Sequence, residues 1–110
     1  MEAIVSALEE ERREAEKLIA KYGKELASLP AGSFFVRSIG GNSYGYVSFS
    51  EEGRVGQRYL GRMGPEEIEK RKKQAERAKK IKSLKKMAEQ QLDFIRKALR
   101  HAYAKSKRSA

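Results

Sequence analysis

A chain of 110 residues that is 39% apolar and 36% charged has room for one modest core and not for two. Its 25 lysines and arginines against 15 acidic residues give a net charge of +10 and favour polyanionic partners. It has no cysteine, hence no disulfide and no thiolate metal site. The start Met1-Glu2-Ala3-Ile4-Val5 lacks the segments of a signal peptide, and no stretch approaches the ~18–20 apolar residues of a membrane span. The expectation is a cytoplasmic protein with no membrane partner.

Residues 2–28 place Ile4, Val5, Leu8, Ala15, Leu18, Ile19, Tyr22 and Leu26 at helical spacing, with Glu9–Glu11, Arg12, Arg13, Glu14, Glu16 and Lys17 on the other faces. Pro30 ends that helix. Residues 32–61 change character: glycine occupies seven positions and Phe, Tyr, Val and Ser fill most of the remainder. Strands are predicted over 33–39, 43–50 and 54–60, with turns at Gly40-Gly41-Asn42 and Glu51-Glu52-Gly53. Such a meander is marginal alone, so one face must pack on a helix. From Pro65 the pattern is helical again to about residue 104, ahead of a flexible basic tail over 105–110. The apolar stripe Ile81–Leu84–Ala88–Leu92–Ile95–Leu99–Ala102 is strong, but little precedes it, so 66–80 reads as an exposed arm.

The fold class is therefore α+β in the order α-β-β-β-α, a single domain in which a three-stranded antiparallel meander packs on the N-terminal helix. The Val47/Phe49 side is expected to face that helix and the start of the second. Charge is uneven along the chain: residues 1–30 carry five basic and seven acidic groups, 31–64 four and two, and 65–110 sixteen and six. The basicity belongs to the C-terminal helix.

Catalytic patterns are missing. His101 is the single histidine and stands among Lys97, Arg100 and Lys105, with no ligand set for a metal. The run Gly40-Gly41-Asn42-Ser43-Tyr44-Gly45 lacks the lysine of a phosphate-binding loop, and a hairpin turn accounts for its glycines. The carboxylates Glu9–Glu11 and Glu51–Glu52 are sequence neighbours, which suits solvated positions. No enzyme, cofactor or metal is expected.

Two features carry binding chemistry. The second helix presents Lys72, Lys73, Arg77, Lys79, Lys80 and Lys86 in a dense run, the means of neutralising phosphates. Acidic partners four residues away (Glu66–Lys70, Glu69–Lys73, Glu76–Lys80) are too few to neutralise it. In the meander, alternation sets Tyr44 and Tyr46 opposite in direction to Val47 and Phe49. If Val47 and Phe49 face the core, the tyrosines point outward near Arg54 or Arg58, and Arg37, where they can stack on bases or grip a backbone. If the tyrosines face inward, Tyr44, Tyr46 and Tyr59 cover the first helix and support cross-strand pairs.

The run Gly32-Ser33-Phe34-Phe35-Val36-Arg37, then Tyr44-Gly45-Tyr46-Val47, then Glu52-Gly53-Arg54-Val55-Gly56-Gln57-Arg58-Tyr59-Leu60-Gly61-Arg62 resembles a short β-module of mobile-element-associated proteins. Its order, three strands then a helix, is similar to the arm-site DNA-binding domain of tyrosine recombinases, whose sheet lies in the major groove. Over residues 32–75 the resemblance implies contact through Arg54, Gln57 and Arg58, and nothing catalytic. The first helix and the long basic helix depart from that pattern.

Three functions remain: a DNA-binding accessory or regulatory protein of a mobile element or virus, which the resemblance favours; an RNA-binding, ribosome-associated protein; and a helix-mediated protein-interaction module of antitoxin type. The candidate nucleic-acid contacts are Arg37, Tyr44, Tyr46, Arg54, Gln57, Arg58, Arg62 and the helix residues Lys72, Lys73, Arg77, Lys79, Lys80 and Lys86. A homodimer through Leu84, Leu92, Ile95 and Leu99 is expected, because that stripe reads as longer than one short helix covers.

Overall fold

The computed structural model describes the backbone of residues 2–108 and the side chains of residues 2–105; the last two residues of the expected tail lie outside it. The order is α1 (Glu2–Ser28), β1 (Ser33–Ile39), β2 (Asn42–Glu51), β3 (Arg54–Arg62) and α2 (Pro65–Arg108), the α-β-β-β-α meander that periodicity predicts. The second helix runs four residues further than expected, into the basic tail. No helix among the described residues is long and apolar enough to cross a membrane. The one expected domain resolves into two compact units, residues 1–26 with 81–110, and residues 27–80.

In the first unit α1 and the C-terminal part of α2 run antiparallel. Glu9 of α1 accepts a hydrogen bond from the Tyr103 hydroxyl, and Glu16, further along α1, meets Arg96, earlier in α2, at 3.9 Å. Burial explains the pairing. Ile81, Ala88, Leu92, Ile95, Leu99 and Ala102 are all at most 7% exposed, and with Leu84 and Lys85 they repeat at alternating steps of three and four. Half-buried or buried positions of α1 follow the same rhythm: Val5, Leu8, Arg12, Ala15, Ile19, Tyr22 and Leu26. That spacing is the seam of a coiled coil. The two stripes span equal lengths of helix, so one chain covers Leu92, Ile95 and Leu99 by itself. Leu84, the fourth residue of the expected dimer stripe, is half-buried.

Polar side chains line one margin of the seam. Arg12 bridges Glu9 at 2.6 Å and Glu16 at 3.8 Å, and Glu9 takes the Tyr103 proton donor. That hydrogen bond, more than burial or the Glu9 charge, raises the Tyr103 pKa above its ordinary value, with Arg12 pulling the other way. A raised native pKa means the folded chain holds the proton more tightly than the unfolded one. The contribution is complete at neutral pH and is lost as the pH climbs through the alkaline range above about 10. Tyr103→Phe is expected to melt below the parent protein at neutral pH. The gap should close in strong alkali, and a gap that persists there would assign the effect to packing.

In the second unit the sheet order is β1-β2-β3, both pairs antiparallel. Both hairpins close on two residues with positive φ, Gly40-Gly41 and Glu52-Gly53. These are the dihedrals of a turn whose twist matches that of its strands. The first turn is thus Gly40-Gly41, and Asn42 already belongs to β2, paired with Ile39. Phe34 and Val47 line a crevice of only about 10 Å³ with Pro30, Arg71, Gln74 and Ala75. Of the two helices expected to meet this side, the start of α2 is the one that lines it within this unit. Residues 66–80 are accordingly no free arm: Ile68, Arg71, Gln74 and Ala78 are half-buried. Gly45 is buried, and a side chain there would collide with Met63, whose amide donates to the Ser43 carbonyl at 2.9 Å.

Candidate nucleic-acid interface

Strand pairing fixes which side chains share the other face of the sheet. Counting back from the two turns sets three rows across the strands. Arg37, Tyr44 and Arg62 form one, Phe35, Tyr46 and Tyr59 the next, and Ser33, Ser48 and Gln57 the third. Directly paired residues project to the same side. The face therefore carries an aromatic row between a cationic row and a hydrogen-bonding row. The strand residues on this side include no carboxylate.

The aromatic row is a connected set of rings. Phe35 and Tyr46 stack with centroids 5.3 Å apart and planes at 12°. Tyr59 meets Tyr46 at 5.3 Å and 51°, and Tyr44 at 6.4 Å and 36°. The Arg37 guanidinium sits 5.5 Å from the Phe35 centroid and 5.2 Å from that of Tyr46, in cation–π range. Tyr44 and Tyr46 are half-buried, whereas Tyr59 is 57% exposed. Ile39, Tyr44, Tyr46 and Tyr59 enclose an open depression of about 340 Å³.

The placement corrects the expected company of the tyrosines. Arg58 pairs with Val47 and Arg54 with Glu51, so both belong to the α2 side of the sheet and neither shares a face with Tyr44 and Tyr46. The side of a strand alternates residue by residue, and a two-residue turn at Glu52-Gly53 leaves these arginines in the odd positions. Gln57 and Arg37 do share the tyrosine face. Arg62 does so because of a bulge: the register shifts between Gly45 and Tyr46, inserting Leu60 and returning Arg62 to the side of Tyr44. Bulges commonly re-aim one side chain in this way. Phe49 lies on the α2 side as expected, yet it is 41% exposed and rests on Gly56, its cross-strand partner.

Phe35, Ile39 and Tyr59 complete the face, and none of the three carries an expected binding role. Tyr59 was within reach, since a two-residue turn places it opposite Tyr46. The helix lysines Lys72, Lys73, Lys79, Lys80 and Lys86 are all exposed, as is Arg77. The pairs Glu66–Lys70, Glu69–Lys73 and Glu76–Lys80 do not form among the described residues; elsewhere in α2 Lys85 pairs with Glu89 at 3.8 Å and Lys97 with Asp93 at 3.0 Å. Within residues 27–80 the basic turns of α2 and the aromatic face lie on opposite sides of the sheet.

The chain matches no known protein family, no curated protein and no solved structure.

Proposed function

We propose that this protein is a non-enzymatic nucleic-acid-binding protein whose ligand lies on the outward face of the sheet. The supporting observation is the aromatic row Phe35–Tyr46–Tyr59 bordered by Arg37 and Arg62, on a face without carboxylates. Rings supply sequence-tolerant contact with bases, and two arginines supply contact with phosphates. The net charge of +10 adds attraction over longer range. An accessory or regulatory role at DNA remains the favoured class and RNA its alternative. Of the positions implied by the likeness to recombinase arm-site domains, Gln57 lies on this face, while Arg54 and Arg58 lie on the other.

The test compares two surfaces in one assay. Fluorescence anisotropy with labelled DNA and RNA is followed from about 50 to 200 mM salt, where phosphate contacts weaken steeply. Replacing Arg37 and Arg62 together by alanine is expected to flatten the slope of log affinity against log salt by about 0.7–0.9 per lost phosphate contact. Replacing Lys72, Lys73, Lys79, Lys80 and Lys86 together by glutamine is expected to weaken binding without abolishing it. Loss of binding in the lysine variant alone would move the interface to α2.

A further inference from the structure

We infer that the depression enclosed by Ile39, Tyr44, Tyr46 and Tyr59 takes an unpaired base of a single-stranded nucleic acid, with the neighbouring phosphates held at Arg37 and Arg62. This rests on the nucleic-acid reading above and narrows it to strands whose bases are free to leave the stack.

The rings themselves separate a paired ligand from an unpaired one. Phe35 and Tyr46 lie nearly parallel and close on each other, with the Arg37 guanidinium 5.5 Å and 5.2 Å from their centroids. Tyr59 is tilted by 51° from Tyr46 and by 36° from Tyr44, so these three stand as walls around an opening. At about 340 Å³ the opening is at the small end of the range of roughly 300–1,000 Å³ for ligand pockets. Its lining is one aliphatic and three aromatic side chains, with only phenolic hydroxyls as polar groups. Duplex DNA hides its base faces and offers edges and phosphates, which are read by convergent donors and acceptors. An apolar, ring-walled hollow matches the opposite presentation, a base face turned out of the stack.

The flanking charges fit the same ligand. Arg37 and Arg62 both pair with Tyr44, one from each outer strand. With neighbouring strands about 4.7–4.9 Å apart, the two arginines stand about 10 Å from each other across β2. A strand crossing the sheet along this row passes both guanidinium groups and turns the base between them toward the aromatic row. Gln57 and Ser48, in the row beyond, offer hydrogen bonds to base edges that pairing no longer occupies.

The test uses the full chain and three labelled ligands: a short mixed-sequence single strand, the same strand made abasic throughout, and its duplex. The abasic strand keeps the phosphates and removes every base. The base-bearing strand is expected to bind about tenfold or more tightly than the abasic strand, and more tightly than the duplex. Tyr59→Ala should erase the preference for bases and Tyr59→Phe, which keeps the ring, should retain it. The high exposure of Tyr59 makes both variants compatible with folding, and the comparison of ligands on the parent protein stands without them. Equal binding of base-bearing and abasic strands, or tighter binding of the duplex, would overturn this inference and leave the sheet as a charge-driven nucleic-acid surface. No binding of any of the three at low salt would overturn the nucleic-acid reading itself.

Discussion

Leu99→Ala is expected to destabilise the paired helices by about 2–5 kcal/mol, the range for removing a fully enclosed leucine. Leu99 is 4% exposed and sits between Ile95 and Ala102 on the α2 stripe, in a unit whose described core consists of few large side chains. Alanine there removes transfer energy and leaves a cavity that two rigid helices cannot readily close. Phe94, one residue before Ile95, is 72% exposed, and Phe94→Ala should stay within about 0.5 kcal/mol of the parent protein. Urea titration followed by helical circular dichroism measures both. Similar losses for the two variants would mean that α2 buries a different face. A loss that depends on protein concentration would return the stripe to an interface between chains.

The second large effect is in the sheet unit. Gly32 has φ of +86°, and a side chain there would collide with a Val47 methyl and stand 2.8 Å from the Ser48 carbonyl oxygen. The backbone oxygen cannot swing away as a flexible side chain would. Gly32→Ala is expected to cost about 1–2 kcal/mol for the left-handed backbone and about 1–3 kcal/mol more for overpacking. Gly23→Ala is the same chemical change with the opposite expectation. It lies within α1, its added carbon meets nothing within 4 Å, and it should gain about 1 kcal/mol of helix propensity. The chain has no tryptophan and three of its five tyrosines are on the sheet face, so near-ultraviolet circular dichroism reports largely on the sheet. A Gly32→Ala protein that keeps both its near-ultraviolet signal and its melting point would show that the entry to β1 is laxer than the geometry says.

Much of this architecture is legible in the residues. Periodicity delimits α1 and β1, Pro30 and Pro65 punctuate the helices, and glycine-bearing dipeptides locate both hairpins. Alternation sets Val47 opposite to Tyr44 and Tyr46, and only the crevice with Arg71 and Gln74 shows which of the two sides meets a helix. What escapes is of two kinds. The first turns of α2 carry no strong apolar stripe because two of the residues that meet the sheet side, Arg71 and Gln74, count as polar in composition. The equal lengths of the two helical stripes are likewise hidden while Arg12 and Lys85 pass for surface charges at seam positions. In the candidate site, simple alternation from Glu52-Gly53 finds Tyr59 and Gln57 but would put Arg62 on the wrong side. Only the extra residue at Leu60 returns it, and a bulge of one residue leaves no periodic trace.

Arg37 has a consequence for the thermodynamics of any ligand on this face. A solvated arginine carries about 2 kcal/mol of side-chain rotamer entropy, normally lost when it closes on a phosphate. Here the guanidinium rests on Phe35 and Tyr46 before a ligand arrives, so part of that loss is already met by folding. Lysine at this position would keep the charge and would have to be immobilised during association. The difference between the two residues would appear in the entropy of binding, measured by calorimetry, more than in its electrostatics.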